Sequence, residues 1–124
     1  MDDTLYRCVK RSQPSCIGYD GKITSALFKD PNGVSVDMKG DRTEDKAISD
    51  MRAYFNKRLK GIASLLELHV HQAHAFLYPD PKAGNPYHAE LYKNEQKEEL
   101  TRVQQLQLAD SCKLVFWDEN NKWS

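Results

Sequence analysis

The sequence predicts an α+β fold: one compact domain with a mixed or antiparallel sheet of five to seven short strands and two helices. Three observations lead there. A chain of 124 residues is the size of one domain, so 1–124 reads as a single unit with a frayed tail over 118–124. Short stretches of period-two alternation recur along it, whereas helical periodicity is sustained only twice. The order is βββα, then two or three strands, then αβ, which lacks the regular βαβ alternation of a doubly wound sheet.

Thr4–Lys10 alternates, with Leu5, Arg7 and Val9 on one face, and reads as the first strand. Residues 11–19 form a loop, and Asp20-Gly21 is a turn signal. Lys22–Phe28 reads as a second strand. Asp30-Pro31-Asn32-Gly33 turns the chain, because proline fixes φ while asparagine and glycine accept positive φ. Val34–Met38 is a third strand. In the first helix Asp41 and Glu44 have capping-box spacing, with Thr43 a competing cap. Ile48, Met51, Phe55 and Leu59 share one face of it, and Gly61 is the expected stop.

Residues 62–71 alternate and are read as a strand, although Leu65, Leu66 and Leu68 also fit a helix. Ala75–Tyr78 and Tyr87–Tyr92 read as short strands around a proline-rich loop over 79–86. A second helix is expected from near Asn94, with Glu95, Glu98 and Glu99 in its first turns. Lys113–Trp117 closes the sheet, and Trp123 packs back.

Composition excludes several classes. Apolar residues at 40% and charged residues at 29% support a core and argue against wholesale disorder. No apolar run reaches the ~20 residues of a membrane span, and the acidic start lacks the features of a signal peptide, so the expected compartment is the cytoplasm. Cys8, Cys16 and Cys112 show no metal or redox spacing; they read as reduced thiols, Cys8 and Cys112 in the core and Cys16 on a loop. Formal charge is zero, and residues 1–62 carry 12 basic and 9 acidic residues, a surplus too small for a dedicated nucleic-acid face. Arg52, Lys57, Arg58 and Lys60 crowd a helix end, where cations complement the helix dipole.

Three residue sets could carry chemistry. On a strand Glu67, His69 and His71 stand in a row, the spacing at which two imidazoles and a carboxylate share a divalent metal. His74 or His88 could add a ligand, and a metal-bound water would ionise near neutral pH. The competing reading is the wet side of a half-buried strand. Second, His88 and Glu90 share a strand face after a rigid loop, a His–carboxylate pair suited to acid–base catalysis or to a solvated hairpin edge. Third come Arg7, Ser25, Ser35 and Asp37: Arg7 sits among apolar residues on its strand face and needs a partner, so it pairs with Asp37 structurally, or grips a phosphate or carboxylate.

The patches Leu5-Tyr6-Arg7, Gly21 to Lys29, Val34-Ser35-Val36-Asp37 and Asn85 to Glu90 resemble, in that order, a group of small prokaryotic proteins of similar length. The resemblance covers residues 4–92 and implies one compact domain and no particular activity. It draws attention to Arg7, Ser35, Asp37 and His88.

Two functions follow as expectations. One is a small accessory module, without cofactor, that docks onto a partner protein through aromatic residues near loops (Tyr78, Tyr87, Tyr92, Trp123). The alternative is a small metal- or His-dependent hydrolase or nuclease built on Glu67, His69, His71 and His88. Nucleic-acid binding ranks third, and a membrane role is not expected.

Overall fold

The computed structural model describes residues 3–119, and the expectation for Trp123 lies outside them. The chain forms one antiparallel six-stranded sheet with helices on both faces. The strands are β1 (Thr4–Lys10), β2 (Val34–Met38), β3 (Leu59–Leu66), β4 (Phe76–Pro79), β5 (His88–Tyr92) and β6 (Lys113–Trp117). The helices are α1 (Glu44–Phe55), α2 (Glu67–Gln72) and α3 (Arg102–Ser111). The spatial order is β4-β5-β2-β1-β3-β6. Strand β1 is central, and Leu5 to Val9 are buried on both of its faces.

The period-two pattern separates the two faces. Leu5, Val9, Val34, Val36, Ala63, Leu65, Ala89 and Leu91 form one core, closed by Val70 of α2, Leu108 and Ala109 of α3, and Leu27 and Phe28. On the opposite face Tyr6, Cys8 and Ile62 pack against Ala47 and Met51 of α1. Each fully buried side chain of this kind contributes about 2 kcal/mol from apolar burial alone.

Several expectations are corrected. Lys22–Phe28 is not a strand: Ser25–Phe28 is a 3₁₀ turn, and Ile23 makes only an isolated bridge to Ile17. Leu27 and Phe28 are consecutive and both fully buried, which an edge strand with one wet face could not achieve. Thr43, not Asp41, caps α1, its hydroxyl accepting from Lys46 N–H. The helix stops at Asn56, whose φ is +53°, so Leu59 and Lys60 already belong to β3. Gly61 lies inside that strand, where a Cβ would come within 2.7 Å of the Trp117 ring. The acids near Asn94 precede α3 rather than open it. Thr101 and Gln104 form the capping box, each side chain bonding the other's backbone N–H. Cys16 is buried, whereas Cys112 is only half-buried. Asp118 is anchored rather than frayed: its N–H donates to Lys60 O and its carboxylate pairs with Arg11 at 2.7 Å. Among the described residues no helix is long and apolar enough to cross a membrane.

A candidate site on the open half of the sheet

Helix α1 packs over β1 and β3 and leaves the same face of β2, β5 and β4 without a helix. Polar side chains collect there because the register places them in rows. Tyr6 pairs with Asp37, and Asp37 with His88. Asp80 N–H donates to His88 O, extending that row past the end of β4. Beside it, Ser35 pairs with Glu90, and Glu90 with Tyr78. The patches that hold Ser35–Asp37 and His88–Glu90 are thus neighbours in space.

Asp80, His88 and Glu90 converge: one ligand atom from each lies within 4.8 Å of the others. The His88 ring is oriented by a 3.0 Å contact from Nδ1 to the carbonyl oxygen of Asp80. A carbonyl only accepts, so Nδ1 is the donor in this contact. A backbone oxygen on one ring nitrogen is the usual outer partner of a metal-binding or basic imidazole. Tyr92 Oη donates to Glu90 Oε1 at 2.7 Å, which fixes that carboxylate. The bond to Glu90, together with burial, pushes the Tyr92 phenol up to about 12. Lys82 Nζ lies 3.3 Å from Asp80 Oδ2.

The loop between β4 and β5 is held onto this face. Lys82 and Asn85 exchange two backbone hydrogen bonds around Ala83-Gly84, and Gly84 takes φ +81°. Asn85 Nδ2 then donates to Asp37 Oδ1 at 3.0 Å, and Asn85 Oδ1 accepts from Tyr87 N–H. Asp37, Asn85 and His88 are 6%, 8% and 9% exposed, unusual burial for polar side chains on an open face. Between them and α1 lies a cavity of about 190 Å³. A second hollow of about 520 Å³, reaching Arg42 and Tyr87, shares Asp37 and Asn85 with it.

Other predicted site residues fall elsewhere. Glu67, His69 and His71 do not form a row, because α2 replaces the expected strand from Glu67 onward. Helical residues two apart point in nearly opposite directions. His69 Nδ1 is engaged as a cap, accepting from Leu66 N–H at 2.9 Å, and Glu67 Oε1 accepts from Asp3 N–H. His71 and His74 are exposed.

Arg7 does not pair with Asp37. The register matches Tyr6 to Asp37, so Arg7 leaves β1 on the opposite face, although it also lines the cavity shared by Asp37, Asn85 and His88. Its Nε donates to Leu27 O at 3.0 Å and its Nη1 to Ser35 O at 2.9 Å. Sequence reasoning missed Asp80 and Asn85. Their signal was the Asp-Pro and Asn-Pro steps of the loop, which mark rigid turns but not what they face.

No family model, curated protein or solved structure matches this chain.

Proposed function

We propose that the protein is a small metal-assisted hydrolase whose centre is Asp80, His88 and Glu90. One observation carries the reading: three ligand atoms within 4.8 Å of one another, on neighbouring strand positions beside a cavity, with the imidazole pre-oriented through Nδ1. Two carboxylates and one imidazole suit manganese, zinc or iron(II) better than the all-oxygen preference of magnesium or calcium.

The chemistry follows from the donor set. A divalent ion held by Asp80, His88 and Glu90 would lower the pKa of a bound water and so supply a hydroxide nucleophile for ester hydrolysis. His88 would contribute one ligand, Tyr92 holds Glu90 in place, and Lys82 would neutralise charge developing on the substrate. The expected metal centre therefore moves from Glu67, His69 and His71 to Asp80, His88 and Glu90.

Metal content tests this directly. Untagged protein purified without chelators should carry about one equivalent of transition metal per chain by mass spectrometry. His88→Ala and Glu90→Gln should lose it, and His71→Ala should retain it. Metal-free protein that binds none of the three ions at micromolar concentration would refute the proposal.

Docking onto a partner protein is the second reading. It rests on Val103 and Leu106, 63% and 43% exposed one turn apart on α3, with Leu68 of α2 also exposed. Apolar side chains so placed suit a partner groove. If docking is the function, Val103→Ser/Leu106→Ser should abolish recovery of a specific partner while His88→Ala leaves it intact.

A further inference from the structure

The gap between β1 and β2 holds a second chemical feature. These strands pair only at Leu5–Met38 and Tyr6–Asp37. Beyond that point the Arg7 guanidinium bonds Ser35 O across from β1 to β2, and the residue is 8% exposed. Its two protein acceptors are neutral carbonyl oxygens, those of Leu27 and Ser35. No carboxylate among the described residues lies within ion-pair distance of it. Buried arginine is usually paired with an acid, because desolvating an uncompensated charge is costly. Among the described residues every fully buried side-chain nitrogen and oxygen has a hydrogen-bond partner. Nη2 of Arg7 has none among those residues, so it is not fully buried and opens to solvent.

It opens at the cavity of about 190 Å³ that Arg7 lines. Lys10, Arg58 and Lys82 line the same cavity, against two carboxylates, Asp30 and Asp37. Four cations facing two anions give the space a positive field, which low-dielectric walls intensify. A water occupies ~30 Å³ of liquid, so this space holds the equivalent of about six waters, enough for an oxyanion and the group attached to it.

We propose that this cavity is an oxyanion subsite in which Arg7 and Arg58 grip a phosphoryl or carboxylate group. His88 also lines the cavity, so a bound group would sit beside the imidazole of the proposed centre. The inference rests on the hydrolase reading only in naming the substrate class, an anionic ester. Occupancy of the subsite does not require metal. The guanidinium offers two parallel N–H donors to a planar or tetrahedral oxyanion, which lysine does not.

The test is calorimetric titration of chelator-treated full-length protein with inorganic phosphate and, separately, with acetate. Amide and arginine side-chain NMR shifts locate the site. The proposal expects saturable binding of at least one anion, with shifts at Arg7, Ser35 and Asp37. Arg7→Lys should weaken binding at least tenfold, and Arg58→Gln several-fold. Lys57→Gln, outside the cavity, should leave it unchanged. The tighter of the two anions identifies the group recognised. Arg58 is exposed, so its variant keeps the test valid even if Arg7→Lys fails to fold. No saturation by either anion, affinity unaffected in Arg58→Gln, or shifts confined to the Arg52 and Lys57 surface would each overturn the proposal. Because metal is absent throughout, a failure here is separate from a failure of the metal centre.

Discussion

Replacing Asn85 with alanine should loosen the site through one hydrogen bond. Asn85 Nδ2 is the sole hydrogen-bond donor to the Asp37 carboxylate among the described residues, at 3.0 Å, and Asp37 is only 6% exposed. A hydrogen bond to a charged group contributes about 1.5–3 kcal/mol, and removing one partner leaves the other desolvated. The half-buried Tyr87 N–H also loses its acceptor but can rehydrate. The expected cost is therefore about 2–3 kcal/mol. With an unfolding entropy of ~2.1 cal/mol/K per residue, 124 residues give about 260 cal/mol/K, so melting should fall by about 8–12 °C. Urea titration of Asn85→Ala, Asp37→Ala and the double variant closes a thermodynamic cycle. The double variant should lie about 1–2 kcal/mol closer to wild type than the sum of the singles. The same loosening should weaken metal binding, because this bond fixes the loop that bears Asp80. Strictly additive single effects would show that the bond does not couple the loop to β2, and would refute the reasoning.

Two further substitutions and one titration probe the same region. Gly33 takes φ +101°, and a Cβ there would lie 2.6 Å from Tyr92 Oη, so Gly33→Ala adds a clash to backbone strain of about 1–3 kcal/mol. Gly21→Ala (φ +79°, with nothing within 4 Å) suffers strain alone, so Gly33→Ala should be clearly the more destabilising of the two in urea. Equal losses would place Tyr92 elsewhere. Stability should also fall at alkaline pH. Burial raises Cys8 to about 11 and Cys112 to about 12, and the bond to Glu90 holds Tyr92 at about 12. Folded-state values raised above the unfolded ones give stabilisation that is whole below about pH 9 and is lost as pH rises through 11–12. Two units correspond to about 3 kcal/mol for Cys8, and Cys8→Ala should flatten the decline between pH 9 and 11. Identical slopes in the variant and wild type would contradict this.

What the sequence disclosed was local. Thr4–Lys10, Val34–Met38 and Lys113–Trp117 alternate over their own length, and their strands are where the pattern puts them. The helix after Thr43 declares itself through its cap and apolar stripe. The errors arose where two local signals competed. Leu66 to His71 alternates, but Val70 and Ala73 are also three apart, and burying both under the sheet selects a helix. At residues 94–101 the acidic run suggested a helix start, yet the Thr101–Gln104 box is the stronger cap, and Gln104 also reaches the carbonyls of Ala73 and His74. The candidate site divides in the same way. His88 with Glu90, and Ser35 with Asp37, were legible as same-face pairs. Their meeting depends on β2–β5 pairing across some fifty residues of chain, and the place of Asp80 depends on hairpin register. Neither leaves a periodic trace.

Geometry explains why polar side chains collect on this half of the sheet. Six strands spaced ~4.8 Å apart span about 24 Å, and a helix with its side chains is ~10 Å wide. One helix therefore covers about two strands fully, and α1 covers β1 and β3 with the near edge of β6. A merely solvated remainder would carry exposed, unrestrained charges. Here Asp37 and His88 are more than nine-tenths buried, each oriented by a bond to the β4–β5 loop. Burying such groups costs free energy that apolar residues at the same positions would not incur. The opposite face is closed mainly by apolar side chains such as Val70, Leu108 and Phe28; of its buried polar groups, Gln104 and Gln105 bond backbone carbonyls and Arg7 reaches the cavity. A fold that seals one face with hydrocarbon and restrains carboxylates and an imidazole on the other concentrates its local inconsistencies in one place, and such places are where binding and catalysis are found.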